Sequence, residues 1–86
     1  MTLEEKLADN MYEDTIIFKD YDYEDAFIGV SEDGRAIYDY ELMVKWLTDT
    51  KGYTEEDAIE WIESNTLRAL PYMGSMCPII MHHLED

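Results

Sequence analysis

Apolar residues recur along the chain at two spacings. Leu3, Leu7 and Met11 lie four residues apart, behind a Thr2-Leu-Glu-Glu5 capping box, and predict a helix over residues 3–12. Thr15-Ile-Ile-Phe18 is β-branched and aromatic and predicts a strand. Asp20-Tyr-Asp-Tyr-Glu-Asp25 then alternates acid with ring. If extended, it places Tyr21 and Tyr23 on one face and Asp20, Asp22 and Glu24 on the other; an irregular acidic loop fits the pattern as well.

The hairpin signal is stronger. Ala26-Phe-Ile-Gly-Val30 and Arg35-Ala-Ile-Tyr38 flank Ser31-Glu-Asp-Gly34, where Gly34 accepts the positive φ of a tight turn. Asp39 caps a predicted helix over 40–50, with Leu42, Met43, Trp46 and Leu47 as its apolar stripe and Gly52 as its stop. Thr54 caps the next helix, with Glu55, Glu56 and Asp57 at the positive end of its dipole. Ala58, Ile59 and Ile62 face inward, and Glu56, Glu60 and Glu63 line the opposite side. Asn65 reads as a left-handed stop, and Thr66 as the cap of a short turn that Pro71 closes. Cys77-Pro-Ile-Ile-Met81 suits a strand at a sheet edge because of Pro78. The sum is a single α+β domain over residues 1–86. Its expected sheet is small and antiparallel, made of the 26–38 hairpin and a C-terminal strand, with two to three helices on one face.

Composition narrows the function classes. Hydrophobic residues make up 47% of the chain, enough for a core, so disorder is rejected despite the charge. The lone Cys77 forms no intramolecular disulfide, and no apolar run approaches a signal peptide or a membrane span, so a cytoplasmic protein is expected. The formal net charge is −15. Such a surface repels nucleic acid and anionic membranes and attracts basic proteins. The charge is uneven: residues 4–25 hold nine acids, whereas Ser64 to Leu84 hold none and only Arg68 is charged. In so acidic a chain, Arg68 is expected to anchor a carboxylate.

Metal and catalytic readings fare poorly. Asp20, Asp22 and Glu24 imitate the start of a calcium loop, but Asp25 stands where glycine is needed and Ser31 where a bidentate Glu is needed. His82 and His83 are adjacent, so on a strand they point apart, and they read as a polar tail. Cys77 before Pro78 reads as a small buried residue rather than a nucleophile. No metal, cofactor or catalytic residue is assigned, and no enzyme is expected.

Two surfaces remain. The first comprises the acidic rows Asp20, Asp22, Glu24 and Glu56, Glu60, Glu63, whose spacing approximates that of nucleic-acid phosphates and suits the basic groove of a nucleic-acid-binding protein. The second is the uncharged region of Tyr72, Met73 and Met76, which would serve an adaptor or a self-associating domain, or else belong to the core. The oligomeric state is left open.

From Ala26 to Met81, the runs Phe-Ile-Gly-Val, Asp-Gly-Arg-Ala-Ile-Tyr-Asp-Tyr, Glu-Glu-Asp-Ala-Ile-Glu-Trp-Ile, Asn-Thr-Leu-Arg-Ala-Leu-Pro-Tyr-Met-Gly and Pro-Ile-Ile-Met resemble a group of short acidic proteins of gut Firmicutes, their phages and mobile elements. That group brings no assigned catalytic residues. The resemblance implies a setting in which small acidic proteins often inhibit host defence, as anti-CRISPR and anti-restriction proteins do. The expected function is therefore an inhibitor that occupies a basic groove by nucleic-acid mimicry.

Overall fold

Strand β2 (Ala36–Asp39) lies at the centre of the computed structural model, which describes residues 2–19 and 21–84. Strand β1 (Phe27–Val30) runs antiparallel to it, with Val30 opposite Ala36 and a bulge between Phe27 and Gly29. The connecting turn closes as the Asp33-Gly34 pair predicts: the Gly34 amide donates to the Ser31 carbonyl at 2.9 Å, and Gly34 has φ +89°. A left-handed backbone of this kind is nearly free of strain only for glycine.

Strand β3 (Ile79–Met81) pairs on the other side of β2, with Ile37 opposite Ile79 and Asp39 opposite Met81. The pairing is parallel. The fold class is α+β as expected, but the sheet is mixed rather than antiparallel. The cause lies in the connection: parallel neighbours need a long crossover, and all the helical chain between Tyr40 and Met73 supplies it. Pro78, fully buried just before β3, has no amide to donate, which suits an edge strand.

The helix starts follow their caps. In α1 (Leu3–Asp9), Thr2 Oγ1 accepts from the Glu5 amide at 3.2 Å, so Thr2 caps the helix, and the Glu5 carboxylate reaches back to the Thr2 hydroxyl. Leu3 and Leu7 are buried. Met11 is not: the helix ends before it, Met11 turns to φ 66°, and its side chain is 88% exposed. In α2 (Tyr40–Lys51), Asp39 Oδ1 accepts from the Leu42 amide at 3.2 Å, and Gly52 ends the helix at φ 74°. Met43 and Leu47 are fully buried, whereas Leu42 at the stripe's edge is exposed.

Thr15–Phe18 is not a strand. The segment has no regular secondary structure and no ladder partner among the described residues, and its β-branched and aromatic residues serve burial instead: Ile17 and Phe18 enter the core. The acidic stretch after it adopts the irregular alternative. Tyr23 takes a left-handed conformation at φ 48°, and Glu24–Ala26 forms a single 3-10 turn. Phe18, Tyr23 and Phe27 surround the Tyr38 ring with centroids 4.9, 6.3 and 5.6 Å away.

Helix α3 (Glu55–Trp61) starts on the Thr54 cap, Oγ1 accepting from the Asp57 amide at 3.1 Å. It does not stop at Asn65. A wide π turn follows over Ile62–Thr66, then an α turn over Leu67–Ala69 and a 3-10 turn over Leu70–Met73. Thr66 is therefore no cap; it is mid-helical at φ −70°, ψ −53°. Two side chains fit this wider turn. The Asn65 side-chain amide donates to the Trp61 carbonyl at 3.2 Å. Thr66 is buried, and its hydroxyl lies 2.6 Å from that of Tyr23, tying the π turn to the core. Such single wide turns recur at functional sites. Among the described residues, no helix is long and apolar enough to cross a membrane.

Candidate partner interface

The acidic residues of interest divide between two places. Asp20 lies outside the described residues. Asp22 is half-buried and shapes a turn, its Oδ1 accepting from the Glu24 amide at 3.1 Å. Glu24 is exposed at the start of the 3-10 turn. Without an extended backbone, Asp22 and Glu24 do not form an evenly spaced row. Glu56 and Glu60 are exposed on α3, as the helical period requires, and Glu63 is exposed on the π turn. Glu63 therefore does not continue the regular helical period that places Glu56 and Glu60. The negative charge of Glu63 reaches Tyr40, whose hydroxyl pKa is raised by burial first and by that charge second.

The cations leave most of this charge without a counterpart. Lys19 meets Glu4 at 3.2 Å and Lys45 meets Asp49 at 3.0 Å, both in solvent, where such pairs contribute little. Arg35 Nε donates to the Cys77 carbonyl at 2.8 Å, and a further guanidinium nitrogen lies 3.6 Å from the Cys77 sulfur. Arg68 is exposed and meets no carboxylate among the described residues, contrary to expectation.

The uncharged third also divides. Tyr72 is 92% exposed, while Met73 is half-buried against the core. Met76 is 39% exposed, with its methyl over the Gly34 turn. Only Tyr72 and Met76 are available as contact surface. The tail beyond β3 is not a loose polar end. His83 Nε2 lies 2.7 Å from Asp39 Oδ2, and His82 stacks on Tyr40 with centroids 4.7 Å apart. Burial pushes the Asp39 carboxyl up, but the hydrogen bonds from His83 and the Leu42 amide outweigh it and hold the carboxyl below its ordinary value. The hydrogen bond to Asp39, and then the charges of Asp39 and Glu41, push the His83 imidazole above its ordinary value.

Beside the acidic helix lies a feature that sequence reasoning missed. Tyr21, Trp46, Tyr53 and Trp61 gather into one aromatic cluster, with Tyr21 and Trp61 centroids 5.0 Å apart, Tyr21 and Trp46 5.8 Å, and Tyr53 and Trp61 6.1 Å. The Tyr21 and Tyr53 hydroxyls lie 3.1 Å apart. Lys51 seats its ammonium over two of the rings, 4.9 Å from the Tyr21 centroid and 5.4 Å from that of Trp46. The available signal was slight: Glu60 and Trp61 fall three and four residues after Asp57, so both lie beside it on the helix face. Tyr21, Trp46 and Tyr53 come from three other parts of the chain, and no local pattern unites them.

No protein-family model matches the chain, and no match was found among curated proteins or solved structures.

Proposed function

We propose that this protein is an inhibitor that docks on the basic, nucleic-acid-binding face of another protein and excludes nucleic acid from it. One observation carries the reading: a net charge of −15 sits on a body of 36 × 30 × 27 Å, and Lys19, Lys45, Arg35 and Lys51 are engaged in contacts within the chain. The carboxylates of Glu56, Glu60 and Glu63 are exposed and have no cation against them among the described residues. An unneutralised field of this kind steers association toward a surface of opposite sign. Resemblance to short acidic proteins of phages and mobile elements supports a counter-defence role of the anti-CRISPR or anti-restriction type.

The absence of an extended backbone at Asp22 and Glu24 alters the mimicry. The match to a basic groove rests on an irregular field centred on α3, not on two phosphate-like rows. The test is DNA cleavage by CRISPR effectors and restriction nucleases of the native host, with wild type and with Glu56→Lys/Glu60→Lys/Glu63→Lys as inhibitors. Wild type inhibits and the reversed variant, folded by circular dichroism, does not. Equal inhibition by both would overturn the proposal.

A second reading, an adaptor or self-associating domain, is favoured by the exposure of Tyr72 and Met76. Association through these residues would persist at high salt and fail on Tyr72→Ala or Met76→Asp.

A further inference from the structure

The face of α3 that bears Asp57 and Glu60 is not a plain acidic stripe. Asp57, Glu60 and Trp61 share one side of α3, since residues three and four apart are neighbours there, and Ser64 follows on the π turn. Tyr53, from the loop before α3, folds against Trp61, and Asn65 closes the far end. Together these six residues line a pocket of about 330 Å³. That volume is at the small end of ligand sites, suited to one long side chain rather than a cofactor. The Tyr53 hydroxyl is pushed above its ordinary value, first by the hydrogen bond with Tyr21, then by burial, then by the electrostatics of Tyr21 and Tyr23, with the charge of Asp57 adding least.

The neighbouring rings already hold a cation. Lys51 lies over Tyr21 and Trp46, and Tyr21 packs on Trp61, the wall of the pocket. Aromatic faces attract cations through their quadrupole, and Lys51 shows this cluster doing so with the chain's own ammonium. Asp57 and Glu60 line the pocket together with the Tyr53 and Trp61 rings, and no cation is paired with either carboxylate among the described residues.

We infer that the pocket between Tyr53, Asp57, Glu60 and Trp61 is a receptor for an arginine side chain of the basic partner. The inference rests on the docking proposed above and names the contact within it. Arginine fits better than lysine. Its flat, weakly hydrated guanidinium stacks on Trp61 while its forked N–H groups reach the carboxylates, whereas an ammonium is a compact, strongly hydrated charge. The contact would be an anchor at the centre of an interface whose remaining acids act mainly through the field.

The experiment uses the full chain and two probes, an arginine-rich peptide and a lysine-rich peptide of equal length and charge, titrated by NMR at low and at physiological ionic strength. The arginine peptide is expected to bind about tenfold more tightly than the lysine peptide and to move the Trp61 indole resonance more than that of Trp46. Two double variants then remove the same charge from different places. Asp57→Asn/Glu60→Gln lowers arginine-peptide affinity about tenfold or more and erases the arginine preference. Glu56→Gln/Glu63→Gln, outside the pocket, lowers the affinity for both peptides about twofold and keeps the preference. Thermal melts of both variants check that each is folded. Equal losses in the two variants, with no arginine preference in wild type, overturn the receptor and leave charge-driven docking standing. Failure of wild type to bind either peptide at low salt overturns both.

Discussion

The bond between Tyr23 and Thr66 joins the core to the π turn that shapes the α3 face, and removing it has a calculable effect. The hydroxyls lie 2.6 Å apart, and both residues are buried. Tyr23→Phe deletes one partner and leaves the Thr66 hydroxyl unpaired away from water. The cost combines a net hydrogen bond with part of the desolvation of the stranded group, about 1–2 kcal/mol. A domain of this size has roughly 5–10 kcal/mol in total. At about 4–8 °C per kcal/mol, the melting temperature falls by roughly 5–15 °C. Thr66→Val, which keeps the shape and strands the Tyr23 hydroxyl, costs about as much. The double variant strands nothing, so its cost stays near that of one single, and the cycle reports a coupling of about 1 kcal/mol. Urea denaturation of the four proteins measures this directly. Singles that add within about 0.3 kcal/mol would show that the two hydroxyls do not support one another.

Other residues give contrasting outcomes. The Tyr38 hydroxyl is buried beside the Phe18 backbone with no hydrogen bond of good geometry among the described residues, so Tyr38→Phe is neutral or stabilises by up to about 1 kcal/mol in urea denaturation, the opposite of Tyr23→Phe. Gly34→Ala forces an L side chain into φ +89° and destabilises by about 1–2 kcal/mol, read as a lower denaturation midpoint. The Asp39–His83 pair makes stability depend on pH at both ends. Asp39 titrates lower in the fold than its ordinary 3.8, so its contribution is present above 3.8 and lost as pH falls through the folded value. His83 titrates above its ordinary 6.5, so its contribution is present below 6.5 and lost as pH rises through the folded value. Thermal melts across pH should show a plateau between those values, and His83→Gln should remove the alkaline fall.

Much of the fold was legible because its signals are local. Thr2, Asp39, Thr54, Gly34 and Gly52 each act on their own few residues, and each does in the structure what its chemistry predicts. What escaped depends on distant parts of the chain. Thr15–Phe18 has the composition of a strand, yet tertiary burial of Ile17 and Phe18 took the place of pairing. The direction of β3 is set by where the long crossover returns the chain beside β2, which the apolar run Cys77–Met81 does not reveal. Asn65 and Thr66 have the chemistry of a stop and a cap, and bonds to Trp61 and Tyr23 drew them into a π turn instead.

The candidate surface shows the same division. Exposure of Glu56, Glu60 and Glu63 followed from helical period alone. Placement of Glu60 beside Tyr53 and Trp61, and of Lys51 over Tyr21 and Trp46, required the chain to bring four separate segments together. The acidic stretch around Asp22 was the hardest to read, since acid/ring alternation is common to strands and loops. The left-handed Tyr23 decides it, and nothing in the residues beside Tyr23 announces that conformation.

The most direct measurement is competition by duplex DNA against the complex between this protein and the host protein it captures. Both the wild type and the Glu56→Lys/Glu60→Lys/Glu63→Lys variant are titrated across a range of salt. Docking on a basic nucleic-acid face predicts that DNA displaces the wild type, that affinity falls steeply with salt, and that the reversed variant does not bind. A complex that is indifferent to DNA and to salt, and that forms equally well with the reversed variant, would contradict it.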